Sequence, residues 1–318
     1  MNQSNKKKLL YIFISIALII IFSIYKNYKT GSSSKVHKFG VTYMTMNNPF
    51  YEVINNELKK EIEAKGDKLI TLDPALDIEK QKEQIYSFIN QKVDGIFVNP
   101  IDSQKIKPAL EAAKKAKIPV IVIDSPMDDL ELATSTIVSD NYDAGVQCAK
   151  DMMKRKLSAN IILLKHTAVR SARDRIEGFL DTIEGHSSYH VINQGECEGQ
   201  LEIAMPIMQK MLKETKDVDV VIALNDPSAL GALAALEANN QKDVIVYGID
   251  GTPEMKSLIR KNSMIAGTIA QFPIQIGKSA SQIMYTYLSG KTIVSQKIIP
   301  VSLINSDNIN QYDEMGWQ

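Results

Sequence analysis

The chain has few of the residues on which chemistry at a protein site most often depends. Its 318 residues include two cysteines, four histidines and one tryptophan. Cys148 and Cys197 stand far apart without a CxxC spacing, so they read as two structural thiols rather than a disulfide framework or a metal clip. His37, His166, His186 and His190 are scattered, with no metal-ligand spacing among them. No GxGxxG or GxxxxGK[ST] loop offers a phosphate cradle, and no serine stands in a nucleophile elbow. Net charge is absent too: 37 Lys plus Arg balance 37 Asp plus Glu. No summed field therefore draws the protein to nucleic acid. These absences predict a protein that is not an enzyme and uses no cofactor, no metal and no nucleic-acid partner.

What is present begins at the N-terminus. Lys6, Lys7 and Lys8 precede a charge-free, mostly apolar run, Leu9 to Tyr25, about long enough to cross ~30 Å of hydrocarbon. The lysines before it predict an N-terminus inside and the bulk of the chain outside, although Lys26 and Lys29 weaken that bias. A cleaved secretory signal is the alternative, but the run exceeds the usual signal core and no alanine-x-alanine site follows it. No cysteine follows for a lipid anchor. Residues 1–35 are therefore expected to be a cytoplasmic stub, a single-pass membrane anchor and a spacer, Thr30 to Ser34, with the binding body extracytoplasmic.

From Lys38 onward, short β-branched runs alternate with longer amphipathic segments, the pattern of parallel strands joined by crossover helices. Strands are expected at Phe39–Thr45, Lys68–Leu72, Gly95–Asn99, Pro119–Asp124, Ile161–Leu164, His190–Asn193, Val218–Leu224, Val244–Ile249 and Ile265–Ile269. Helices are expected around 51–64, 78–90, 105–116, 144–153, 173–183, 203–213, 228–239, 253–260 and 274–288. Nine or ten strands are too many for one compact sheet of ordinary size. The fold class predicted is α/β, two parallel-sheet lobes with a cleft between them.

In open parallel sheets ligands bind outside the carboxyl ends of the strands. Those ends and the loops after them hold Asn47, Asn48, Phe50, Tyr51, Asn99, Asp124, Arg173, Asn225, Asp226, Asp250 and Gln271. Amides, carboxylates, a guanidinium and rings suit a neutral polyol, whose hydroxyls they bond and whose C–H faces they cover. Each asparagine or aspartate beside a proline also reads as a turn former or helix cap. Phe50 and Tyr51 read equally as core, and Arg175 as a structural ion-pair residue. The functional reading rests on polar groups recurring at equivalent strand ends in both halves.

The motifs MNNPFY (46–51), VNPIDS (98–103), IPVIVIDS (118–125), IVSDN (137–141), SARDRIEGF (171–179), ALNDPSALGAL (223–233), YGIDGTPE (247–254) and GTIAQFPIQIG (267–277) follow one another in an order that resembles the ribose-binding protein family. These are type I periplasmic binding proteins that share their body with LacI-type repressor effector domains, and the resemblance spans about Lys38 to Asn305. It implies ligand contacts at Asn48, Phe50, Tyr51, Asn99, Asp124, Arg173, Asn225, Asp250 and Gln271. It also implies a three-strand hinge near Ser139-Asp140, Gln271-Phe272 and Val301-Ser302. One lobe would then be 36–139 with 272–301, and the other 140–271 with 302–318. Where ribose binders follow the cleft aspartate with arginine, Ser125 stands here, which speaks against ribose itself.

The function implied is capture of a sugar or sugar-like small polar ligand by lobe closure, for delivery to the permease of an ABC importer. The alternative is a membrane-tethered sugar sensor that presents its ligand state to a receptor histidine kinase. A repressor is excluded by residues 1–34, which supply an apolar segment where a helix-turn-helix would be.

Overall fold

The computed structural model describes residues 14–21 and 35–318, in two units, Met1–His37 and Lys38–Gln318. Of the first unit, residues 14–21 form a helix (α1) with exposed side chains. The rest of the expected membrane span Leu9 to Tyr25 lies outside the described residues, as do the lysine cluster and the spacer. Among the described residues, no helix is long and apolar enough to cross a membrane.

The second unit alternates strand and helix. Strands β1 (Lys38–Thr42), β2 (Lys68–Leu72), β3 (Gly95–Val98), β4 (Val120–Asp124) and β5 (Ser135–Ser139) are followed by β6 (Ala159–Lys165), β7 (Tyr189–Glu196), β8 (Val220–Ala223), β9 (Ile245–Asp250) and β10 (Ile265–Ala270), then by β11 (Gln296–Ile299) and β12 (Ser302–Asn305). They form two six-stranded sheets ordered β2-β1-β3-β4-β5-β11 and β7-β6-β8-β9-β10-β12. The two halves thus share one winding order. β12 runs antiparallel to β10, and the other pairs are parallel. Central strands β3, β4 and β8 are buried along their whole length. That is why they read as unbroken apolar runs, as strands covered on both faces do.

The helices are α2 (Pro49–Glu63), α3 (Ile78–Asn90), α4 (Lys107–Lys115), α5 (Asn141–Arg155), α6 (Arg170–Ile183), α7 (Leu201–Glu214), α8 (Asp226–Ala238), α9 (Pro253–Lys261) and α10 (Pro273–Leu288). The chain passes between lobes three times, from β5 into α5, from β10 into α10, and from β11 into β12. α5 packs on α6, β10 and β12, whereas α10 returns to pack on α2, β4 and β5.

Three strands were not expected. β5 (STIVS) and the pair β11 (QKII) and β12 (SLIN) are four or five residues long and carry little apolar alternation. Their pairing partners, rather than local propensity, make them strands.

The α5–α6 contact governs one wall of the cleft. A Cβ on Gly145 would lie 1.9 Å from the Arg175 carbonyl oxygen, and one on Gly178 would lie 2.0 Å from that of Tyr142. Only glycine lets these two backbones touch, and the touch fixes the height of α6 above its sheet.

Candidate functional site

Asp124 ends β4 and Asp250 ends β9, the fourth strands of two sheets wound alike. Both turn sharply there, with φ of 66° and 146°. Such values are disfavoured for residues with a Cβ and cost of order 1–3 kcal/mol, so surrounding structure must impose them. Both side chains are buried, 4% and 2% exposed.

They lie on the wall of a cavity between the lobes, the kind of place where small ligands bind. From the first lobe come Met44, Asn48, Phe50, Tyr51 and Asp124; from the second come His166, Ser171, Arg175, Glu198, Gln200, Asn225 and Asp250, with Gln271 at the second crossing. Seven of the nine expected residues therefore converge on one space.

The start of α2 brings three of them. The Asn48 side chain caps that helix, its Oδ1 accepting from the Phe50 amide at 2.9 Å, and Pro49 follows at the first helical position. Asn225 caps α8 in the same way, accepting from the Ser228 amide at 3.0 Å. Its Nδ2 donates to the Gly199 carbonyl at 3.0 Å. The capping and cavity roles are thus combined in single residues. Phe50 packs edge-on against Tyr51, and its other neighbour is Trp317 of the C-terminal tail, ring centroids 6.0 Å apart.

Two expected residues are placed elsewhere. Asn99 lies behind the wall, with Nδ2 donating to Asp124 Oδ2 at 3.0 Å and Oδ1 accepting from the Met44 amide at 3.1 Å. It positions Asp124 and does not line the cavity. Arg173 points outward to the cleft rim, where its guanidinium donates to Asp128, to Ser103 Oγ and to the Thr167 carbonyl.

The cavity arginine is Arg175. Its Nε donates to Asn141 Oδ1 at 2.8 Å and its Nη1 to the Leu224 carbonyl at 2.7 Å. The sequence held the signal. Buried positions on α6 are Ser171, Ala172, Arg175, Gly178, Phe179 and Ile183, so Arg175 shares the inward stripe, while Arg173, about 200° away by helical geometry, does not. His166, Ser171, Glu198 and Gln200 were also missed. His166, Glu198 and Gln200 sit on loops with no apolar phase to mark them, whereas Ser171 shares the buried stripe of α6.

Burial dominates the electrostatics. It pushes the Asp124 carboxyl up to about 6 against the lowering influence of Arg175, Asn99 and Tyr51. Asp250 is raised well above its ordinary range, first by burial and then by the charge of Asp226. Asp226 lies just behind, accepting from Thr268 Oγ1 at 2.6 Å and from the Thr252 amide at 2.8 Å. Burial, then Asp124 and Asp250, keep the Tyr51 phenol protonated, and burial holds His166 below its ordinary value.

Three wall residues keep a buried acceptor without a protein partner: Asp124 Oδ1, Asp250 Oδ2 and Gln271 Oε1. Asp250 and Gln271 are joined at 2.8 Å through their other atoms. A buried acceptor left unpaired costs ~1–3 kcal/mol, so the wall is complementary to a molecule that presents several hydrogen-bond donors. Among the described residues no group of His, Cys, Asp and Glu could hold a metal ion, and both cysteines are free and buried.

Comparison with known proteins gives the same frame. The model of the periplasmic binding protein domain matches residues 39–292. The ribose import binding protein of Salmonella typhimurium is 30% identical over 303 residues, covering 94% of this chain and 99% of that one. The D-apiose import binding protein of Paraburkholderia graminis is 27% identical, covering 89% and 92%. Among solved structures, an ABC transporter solute binding protein from Bacillus halodurans with bound myo-inositol has a TM-score of 0.81 at 27% identity, over 88% of this chain and 98% of that one.

Proposed function

The chain belongs to the periplasmic binding protein domain family, and from that premise we propose that it captures a sugar or polyol between its two lobes for import by an ABC transporter. The observation that carries this reading is the set of three unpaired buried acceptors, Asp124 Oδ1, Asp250 Oδ2 and Gln271 Oε1, on one cavity wall. Hydroxyl groups donate to them, the Arg175 guanidinium donates to ligand oxygen, and Phe50 and Tyr51 cover apolar C–H faces. Each lobe supplies part of this shell, so the ligand favours the closed state over the open one. The lobes are taken as 36–139 with 272–301 and 140–271 with 302–318. Asn48, Phe50, Tyr51, Asp124, Arg175, Asn225, Asp250 and Gln271 are taken as the ligand shell, and the ligand leaves chemically unchanged.

Ser125, beside Asp124, is small, and its Oγ accepts from the Ser171 amide at 3.2 Å; it adds no cation to the wall. This favours a ligand other than ribose. The relatives named for ribose and D-apiose import, and the structure holding myo-inositol, set the range to search. A thermal-shift screen of pentoses, hexoses, furanoses and cyclitols tests the reading. A true ligand at 100 times its Kd adds ~2.7 kcal/mol of stability. No shift with any member, in folded protein, contradicts it.

We also propose that residues 9–25 tether this extracytoplasmic body to the membrane, on the strength of that apolar run and the lysines before it. Intact mass of the native protein at the full-chain value, with retention in the membrane fraction after alkaline washing, is the expected result. A mass lacking the first residues contradicts it.

A further inference from the structure

Outside the cavity, one rim of the cleft carries a cluster of charges drawn from both lobes. Asp128 lies four residues beyond β4 in the first lobe, and Arg170 and Arg173 open α6 in the second. Arg173 Nη2 donates to Asp128 Oδ1 and, at 3.2 Å, to Ser103 Oγ. Ser103 Oγ donates in turn to Asp128 Oδ2 at 3.1 Å, and Arg170 stands 3.6 Å from Asp128. Beside them the Ser103 amide donates across the cleft to the Ala168 carbonyl at 3.1 Å. None of Ser103, Asp128, Arg170 or Arg173 lines the cavity.

We propose that Asp128, Ser103 and Arg173, flanked by Arg170, form a latch that holds the lobes together at this rim without touching the ligand. Asp128 receives bonds from both lobes, so separating the lobes strips it of its second-lobe partners at once, whereas Arg170 keeps its 2.6 Å bond to Asp174 within α6. Burial works to protonate it, but hydrogen bonds from Gln104 and Ser103 and the two guanidinium charges prevail and hold its carboxyl below the usual range. The Asp128 and Arg173 side chains remain 27% and 31% exposed, so water and salt reach the pair and the latch stays reversible. Elsewhere across the cleft Asn47 Nδ2 meets Gln200 Oε1 at 3.4 Å, a longer bond between neutral groups. The charged rim is therefore the stronger fastening.

The latch rests on the two-lobe closure reading, but its test contains no ligand, so a failed ligand search and a failed latch are separate results. Two amides report closure directly: Ser103 N, bonded to Ala168, and Ser171 N, near the start of α6 and bonded to Ser125 Oγ of the other lobe. Hydrogen exchange at both is measured in the ligand-free full chain and in Asp128→Asn, Arg173→Gln and the double variant. Asp129→Asn is the control, since Asp129 pairs at 3.1 Å with Lys107 inside the first lobe. Exchange about three- to tenfold faster is expected in both latch variants. The double variant should be no faster than either single, the control should match wild type, and β3 and β8 should be unchanged in all. Raising salt to about 1 M should speed exchange in wild type and leave Asp128→Asn unaffected. Equal exchange at Ser103 and Ser171 in wild type and latch variants, or an equal gain in Asp129→Asn, overturns the latch.

Discussion

Asp124 is forced into a left-handed backbone conformation, buried, and bonded on one oxygen by Asn99 while the other oxygen has no partner. Its raised carboxyl, at about 6, makes pH a probe of its role. In the ligand-free protein the folded state holds this proton more tightly than the unfolded chain. The stability it contributes is present below its ordinary value of 3.8 and is lost as pH rises through about 6. A hydroxyl donor favours the ionised form and draws that pKa down. Affinity should therefore be weaker at pH 5 than at pH 7.5, by up to about tenfold because pH 5 lies one unit below the ligand-free value, and Asp124→Asn should flatten the profile. A flat profile in wild type would mean that Asp124 accepts nothing from the ligand.

Arg173 and Arg175 of α6 separate in the same way. Arg175→Ala should weaken binding by ~1.5–3 kcal/mol because it leaves the Asn141 and Leu224 oxygens and the ligand short of a donor. Arg173→Ala should act through lobe closure alone and cost less. Calorimetry of the two variants separates them, and an equal loss would return Arg173 to the cavity wall. Residue types and their strand-end places were legible in the sequence. The choice between Arg173 and Arg175 was legible only through the rotational phase set by Phe179 and Ile183, which a motif match does not carry.

At the scale of elements, β2, β3 and β4 were readable within a residue or two, since each is a β-branched run closed by turn residues. β5, β11 and β12 were not, because hydrogen bonds to distant partners define them. The α5–α6 seam is likewise invisible until folded, although both of its glycines stand in plain view. Gly178→Ala would press a methyl group against the Tyr142 carbonyl and drive the helices apart, at a cost of ~1–3 kcal/mol. Arg175 would rise with α6, so ligand affinity should fall along with the melting temperature. A variant of Gly66, where a Cβ meets nothing within 4 Å, should spare affinity. Undiminished affinity in Gly178→Ala would show that the seam does not position the arginine.

At the scale of the molecule, one winding order used twice sets two strand-end surfaces face to face, and three chain crossings let them move as lobes. The matched placement of Asp124 and Asp250 follows from that duplication, and so does a cavity whose wall neither lobe completes alone. The most direct measurement is a calorimetric titration of the full chain, wild type beside Asp124→Ala, with the sugar or polyol that gives the largest thermal shift. Saturation at one ligand per chain in wild type, with affinity reduced by ~1.5–3 kcal/mol in the variant, is the predicted result. Equal affinity in the two proteins, or no saturable heat from folded wild type, would contradict it.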